Sequence, residues 1–201
     1  MGQYFKQVLL REDNVIIAWA CSWAYNNGAK LMEHSWLGNS FVAVAENLLL
    51  KNPTRVVWCG DYSDKDPSLG IDEEQVKAGY DGTMNFYDLC EYKGNAIKEV
   101  KEGITSIGKR AKYVVNHTTK EFIDKTKVPV TNTYVDNDGK SWDYNIHPLP
   151  LMTCNSNGRG GGDFRDEYPN GLVGRWSGNL ISIETRKPKG FTEVIFDLIE
   201  K

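Results

Sequence analysis

Tyr4-Phe5-Lys6-Gln7-Val8-Leu9-Leu10, then Arg11-Glu12-Asp13-Asn14, then Val15-Ile16-Ile17-Ala18-Trp19-Ala20-Cys21-Ser22-Trp23, is the stretch on which the fold turns. Two runs rich in β-branched and aromatic residues flank a short polar segment whose Asp and Asn carry turn chemistry, which is the pattern of a β-hairpin. Asn26-Asn27-Gly28 follows as a second turn, because Asn and Gly tolerate positive φ. The chain therefore begins with antiparallel pairing rather than with a strand that needs a helical crossover.

Working outward, the residues from Asn39 or Ser40 to Lys51 form the firmest helix, with either residue as N-cap. Phe41, Val42, Ala45, Leu48 and Leu49 fall on one face at helical spacing, and Pro53 ends the run. Arg55–Cys59 reads as a short strand broken by Gly60. Residues 63–82 read as a polar, insertion-like loop, Met84–Tyr92 as a short helix capped by Thr83, and Ala96–Ile107 as a weakly periodic helical segment. Tyr113–Thr118 and Glu121–Thr126 look like paired strands, and Pro129–Gly139 like a loop ending in the turn Asn137-Asp138-Gly139. Ser141–Met152 alternates in part, with Pro148 and Pro150 confining that strand to a sheet edge or ending it early. Residues 155–171 are a glycine-rich loop, Leu172–Glu184 returns to strand character, and Phe191–Ile199 fits a strand or a short helix. Strands outnumber helices and arrive as hairpins. The expectation is one α+β domain over residues 1–201: a mostly antiparallel sheet, one firm helix over about 39–51, and one or two short helices.

Composition narrows the function. Among 201 residues, 40% are hydrophobic and 25% charged, which fits a globular chain rather than disorder or a coiled coil. Against 27 acidic residues stand 24 basic ones, a net charge of −3, so the basic face needed for nucleic-acid backbones is not favoured. No run reaches the roughly 18 apolar residues that cross a bilayer, and Met1–Lys6 lacks the pattern of a secretory signal. Cys21, Cys59, Cys90 and Cys154 lie far apart with no C-x-x-C pair, as expected of reduced thiols in a cytoplasm.

Four groups of residues carry candidate chemistry. Arg159-Gly160-Gly161-Gly162, with Arg165, Arg175 and Trp176, suits a phosphate-bearing, nucleotide-like ligand: glycine amides approach an anion, guanidiniums bind it bidentately, and an indole stacks on a base. The spacing matches neither a P-loop nor a dinucleotide fingerprint, and a plain connecting loop is the competing reading. Histidine titrates near neutrality, so His117 and His147, each after a β-type run, suit proton transfer or metal binding, against the simpler role of satisfying local backbone groups. Six Trp and ten Tyr suggest either core or an interface, and with it a possible homo-oligomer.

The fourth group is Gly60-Asp61-Tyr62-Ser63-Asp64 after the strand Val56-Val57-Trp58-Cys59, together with Val114-Val115-Asn116-His117. It resembles the G-D-x-x-D and strand-Asn-His signatures of the calcineurin-like metallophosphoesterases. That resemblance implies a metal-dependent phosphoesterase with Mn²⁺ or Zn²⁺ held by Asp61, Asn116, His117 and His147, and catalysis by Asp61, Asp64, His117 and His147. The chain departs from the pattern in having no Asp-x-His upstream and Thr118 where an acid follows the histidine.

A second resemblance covers most of the chain. Met1-Gly2-Gln3-Tyr4, Lys30-Leu31-Met32-Glu33-His34-Ser35-Trp36, Trp58 to Asp61, and Ile146-His147-Pro148-Leu149-Pro150-Leu151 look like stretches of small uncharacterised proteins of phages and gut bacteria. It implies a phage or mobile-element accessory protein in the host-cell cytoplasm, of the kind that counters host defence by binding an effector protein or by sequestering a nucleotide-like ligand. A non-catalytic interaction module is the remaining reading.

Overall fold

The computed structural model describes residues 4–25, 31, 35–63, 85–90, 111–130, 132–135, 137–155 and 171–198. The opening hairpin forms as its sequence demands. β1 (Phe5–Leu10) pairs antiparallel with β2 (Ile16–Cys21), and Asn14 takes φ 65 in the turn between them. A bulge lets both Ile16 and Ile17 stand against Leu10, which turns Ile17 outward to solvent. α1 (Ser40–Lys51) begins at Asn39, whose side-chain oxygen accepts the Phe41 and Val42 amides at 2.9 and 3.2 Å. β3 (Thr54–Gly60) then runs along the other side of β1.

The remaining strands are β4 (Tyr113–Asn116), β5 (Glu121–Asp124), β6 (Asn132–Val135), β7 (Ser141–Tyr144), β8 (Cys154–Asn155), β9 (Leu180–Glu184) and β10 (Thr192–Glu193). The main sheet has the order β10-β5-β4-β9-β3-β1-β2, with β8 beside β3 as its eighth strand; β6 and β7 form a separate hairpin. Among the described residues only the β3–β8 and β5–β10 pairings are parallel. The fold is α+β on a mostly antiparallel sheet, as the hairpin pattern predicts.

β1 is buried at every position because the sheet is covered on both faces here. Phe5 and Leu9 join a large core with Val42, Ala45 and Leu49 of α1, Trp58, Val114, Ile181 and Trp176. Val8 and Leu10 face a smaller core with Val57, Cys59 and α2 (Phe86–Cys90). The Phe41 and Trp58 rings meet edge to face at 5.3 Å, an arrangement that contributes about 1 kcal/mol beyond area burial.

Several expectations are corrected. The strand read over Ser141–Met152 stops early, at Tyr144, and Pro148–Met152 is a helix, α3, with proline at its start, where the missing N–H costs nothing. The loop expected over Pro129–Gly139 contains β6, so the turn at 137–139 closes a hairpin. The strand expected from Leu172 starts only at Leu180, after a series of turns. Of the segment expected over Phe191–Ile199, only Thr192–Glu193 is strand among the described residues, 191–198. Asn85 caps α2, its side chain accepting the Asp88 amide at 2.9 Å, while Thr83 lies outside the described residues. The turn at Asn26–Gly28, the segment Ala96–Ile107 and nearly all of the loops 63–82 and 155–171 also lie outside them.

Candidate functional site

Asp61 stands just past the end of β3. Its amide donates to the Tyr4 carbonyl at 2.9 Å and its Oδ1 accepts the Tyr4 amide at 3.1 Å, so it extends the β1–β3 pairing by one residue. Burial pushes its carboxyl above the ordinary range. Beside it, the Ser63 hydroxyl donates to the Asn155 carbonyl, and Asn85 Nδ2 donates to the Ser63 carbonyl at 2.8 Å. Parallel strands β3 and β8 thus leave the sheet side by side. The neighbouring Cys59 thiol is pushed up to about 12 by burial and stays protonated.

This end of the sheet also carries its most exposed aromatics. The Lys6↔Cys21 register brings Trp23 to the Tyr4 end of β1, and the Tyr4–Asp61 pairing brings Tyr62 there as well. Trp23 is 70% exposed, Tyr62 46% and Tyr4 42%. Tryptophan is mostly buried in folded chains, so such exposure is a mark of an interaction surface.

His117 stands elsewhere. Asn116 and Thr54 both pair with Ile181, which sets the end of β4 level with the start of β3. Asp61 lies seven residues beyond Thr54, about 20 Å along the strand direction. Asn116 spends its side-chain oxygen on the Thr118 and Thr119 amides, at 2.9 and 3.1 Å. His117 Nε2 lies 2.8 Å from the Ser182 hydroxyl, which lies 2.9 Å from Glu184 Oε1.

His147 is buried in the large core's polar centre. Its Nδ1 accepts the Leu149 amide at 3.1 Å, capping α3, and its Nε2 lies 2.9 Å from Glu46 Oε1 on α1. Lys125 Nζ donates to the same oxygen. Burial opposes ionisation of Glu46, but His147 and Lys125 more than offset it and hold the carboxyl down to about 2. Burial pushes the His147 pKa below its ordinary value, so the ring stays neutral and its Nε2–H donates to Glu46 Oε1.

Arg175 and Trp176 meet over one carboxylate. Arg175 pairs with Glu121 Oε1, and the Trp176 indole donates to Oε2 at 2.8 Å, which also takes the Thr119 hydroxyl at 2.9 Å. Burial raises the Glu121 carboxyl, but the bonds from Trp176, Thr119 and Arg175 bring it below its ordinary value. Trp176 is 0% exposed, so its ring is core and presents no face for stacking. Gly174 before them has φ +66, and a Cβ there would sit 2.9 Å from the Cys154 carbonyl oxygen, so both backbone and space demand glycine.

The structure therefore separates the sequence candidates into four places. Asp61 is at the β3 end, Asn116 and His117 at the β4 end, His147 in the core, and Arg175 with Trp176 against Glu121. Asp64, Arg159, Gly160, Gly161, Gly162 and Arg165 lie outside the described residues. Among the described residues no group of three or more His, Cys, Asp and Glu side chains is placed to hold a metal ion, and no helix is long and apolar enough to cross a membrane. Sequence reasoning missed Glu46, Lys125, Ser182, Glu184 and Glu121. Glu46 did leave a signal, since it lies four residues after Val42 and three before Leu49 on the apolar stripe of α1. No protein-family model matches the chain, and no curated protein and no solved structure matches it.

Proposed function

We propose that the protein is a non-catalytic binding protein that engages a protein partner through the sheet end bearing Trp23, Tyr4 and Tyr62. The exposure of these three aromatics at one end of the sheet carries the reading. Exposed Trp and Tyr supply large contact area at low entropy cost and dominate binding energy at protein interfaces. Asp61 beside them favours a partner that presents a cation next to an apolar patch. A nucleotide-like ligand is less well supported: Arg175 already pairs with Glu121, and Trp176 is core. A phosphoesterase is less well supported too, because Asp61 and His117 stand apart and His147 uses both ring nitrogens inside the core. A partner-binding role in a host-cell cytoplasm, toward an effector of host defence, agrees with the phage and mobile-element resemblance.

The test places a photo-cross-linking residue at position 23 and, as control, at Ile195, which is 68% exposed. Position 23 should capture a partner that position 195 does not. With that partner purified, Trp23→Ala should weaken binding by at least about thirtyfold in calorimetry and leave the melting temperature nearly unchanged. Equal capture from both positions, or wild-type affinity in Trp23→Ala, refutes the reading. A melting shift with nucleotides alone would move it to the nucleotide alternative.

A further inference from the structure

β2 is the outermost strand on its side of the main sheet, and two hydrogen bonds fix which of its backbone groups face outward. The Asp61 amide donates to the Tyr4 carbonyl, which makes Tyr4 and Asp61 a hydrogen-bonded pair. Alternation along the ladder makes Lys6–Cys59 and Val8–Val57 the next two such pairs. The Trp58 amide agrees, because it turns away from β1 to the Thr153 carbonyl at 2.8 Å. Gln7 and Leu9 therefore turn their backbone groups toward β2, where they bond Ala20 and Ala18. Trp19, between those two alanines, turns its N–H and C=O outward, and among the described residues nothing bonds either group.

In a protein that stays monomeric, a sheet edge is guarded by charge, proline, a bulge or short length. The opposite edge, β10, is two residues long, and its Glu193 pairs with Lys127 and Lys187. β2 is six residues long, and no charged residue or proline occurs from Val15 to Tyr25. Its bulge lies at the Leu10 end and leaves Ala18–Cys21 in unbroken register, while Ile17 is exposed beside it. We propose that this edge pairs antiparallel with the β2 edge of a second copy of the chain, about a two-fold axis at Trp19, and joins two sheets into one. The occupant must be extended, to supply a C=O and an N–H to Trp19, and uncharged, because a charge set against this run would lose water without gaining a partner. β2 of a second copy meets both demands. The two-fold sets Trp19 against the partner's Trp19 and the small Ala18 against the partner's Ala20, so no charge meets another across the seam. The pairing rests on the strand edge and is independent of the role proposed for Trp23.

The experiment follows the wild-type chain by analytical ultracentrifugation and by hydrogen exchange read amide by amide, from micromolar to near-millimolar concentration. The chain should sediment as a dimer at the upper end, and exchange at the Trp19 amide should slow with the same concentration dependence. The Ala18 and Ala20 amides, already bonded to β1, should stay slow throughout. Ile17→Lys, at an exposed position, puts a charge on the seam and should weaken self-association at least about tenfold, with Ala18 and Ala20 still protected. The wild-type dilution series decides the matter if that variant does not fold. A monomer at every concentration overturns the proposal and leaves the edge to a strand of a different protein. A dimer whose Trp19 amide exchanges as fast as the monomer's, or wild-type association in folded Ile17→Lys, overturns it as well.

Discussion

His147 with Glu46 and His117 with Glu184 pair the same two kinds of side chain and differ in what reaches the second ring nitrogen. In the core, the Leu149 amide fills His147 Nδ1, Lys125 shares Glu46, and no acceptor is left over. On the sheet face a hydroxyl stands between ring and carboxylate, and the His117 side chain is 28% exposed. The first arrangement ties α1, the end of β5 and the start of α3 into one unit. The second joins only the neighbouring strands β4 and β9 at the surface. An imidazole near a carboxylate is thus a buried strut or a surface contact according to its burial and its partners, not according to residue type.

The largest effect should come from cutting the buried set. Glu46→Ala leaves the Lys125 charge buried without its carboxylate, which costs about 3–5 kcal/mol and lowers the melting temperature by about 10 °C. Replacing Glu46, Lys125 and His147 together by apolar residues of similar volume should recover much of that loss, because the uncompensated charge is then gone. A single variant as stable as wild type would remove the contrast between the two pairs.

Acid should act next, and on the buried pair. The folded-state pKa of His147 lies below its ordinary 6.5, so the unfolded chain takes up that proton first, and stability falls as pH drops through 6.5. Glu46 lies lower in the folded state than in the unfolded chain, from 4.5 down to about 2, so its contribution is present above pH 4.5 and is lost between 4.5 and 2. Urea unfolding at pH 7, 5 and 3 should show stepwise loss, and Glu46→Gln should flatten the lower step. The smallest effect on stability is expected from His117→Ala, within about 1 kcal/mol in the same unfolding experiment.

Much of the framework was legible because it rests on local pattern. Alternating or continuous apolar runs bounded by turn residues marked β1, β2, β3, β4 and β5, and helical spacing with an Asn cap marked α1. The misreadings share a cause: residues whose role is set by their neighbours in space. Pro148 and Pro150 signal a strand's end or a helix's first turn equally well, and only the His147 side chain facing the Leu149 amide decides between them. The site was less legible still. His117 could be singled out, but Ser182 and Glu184 lie more than sixty residues away and reach it through the β4–β9 register. Arg175 and Trp176 suited an anion in the sequence, yet Glu121 supplies the anion from within the chain.

The contrast between the two imidazoles is tested most directly by carbethoxylation of the native protein with diethyl pyrocarbonate, read residue by residue by mass spectrometry. The account predicts that His117, whose side chain is 28% exposed, reacts roughly a hundredfold faster than His147, whose modification waits for the core to open. Equal rates at the two residues, or faster reaction at His147, would contradict it.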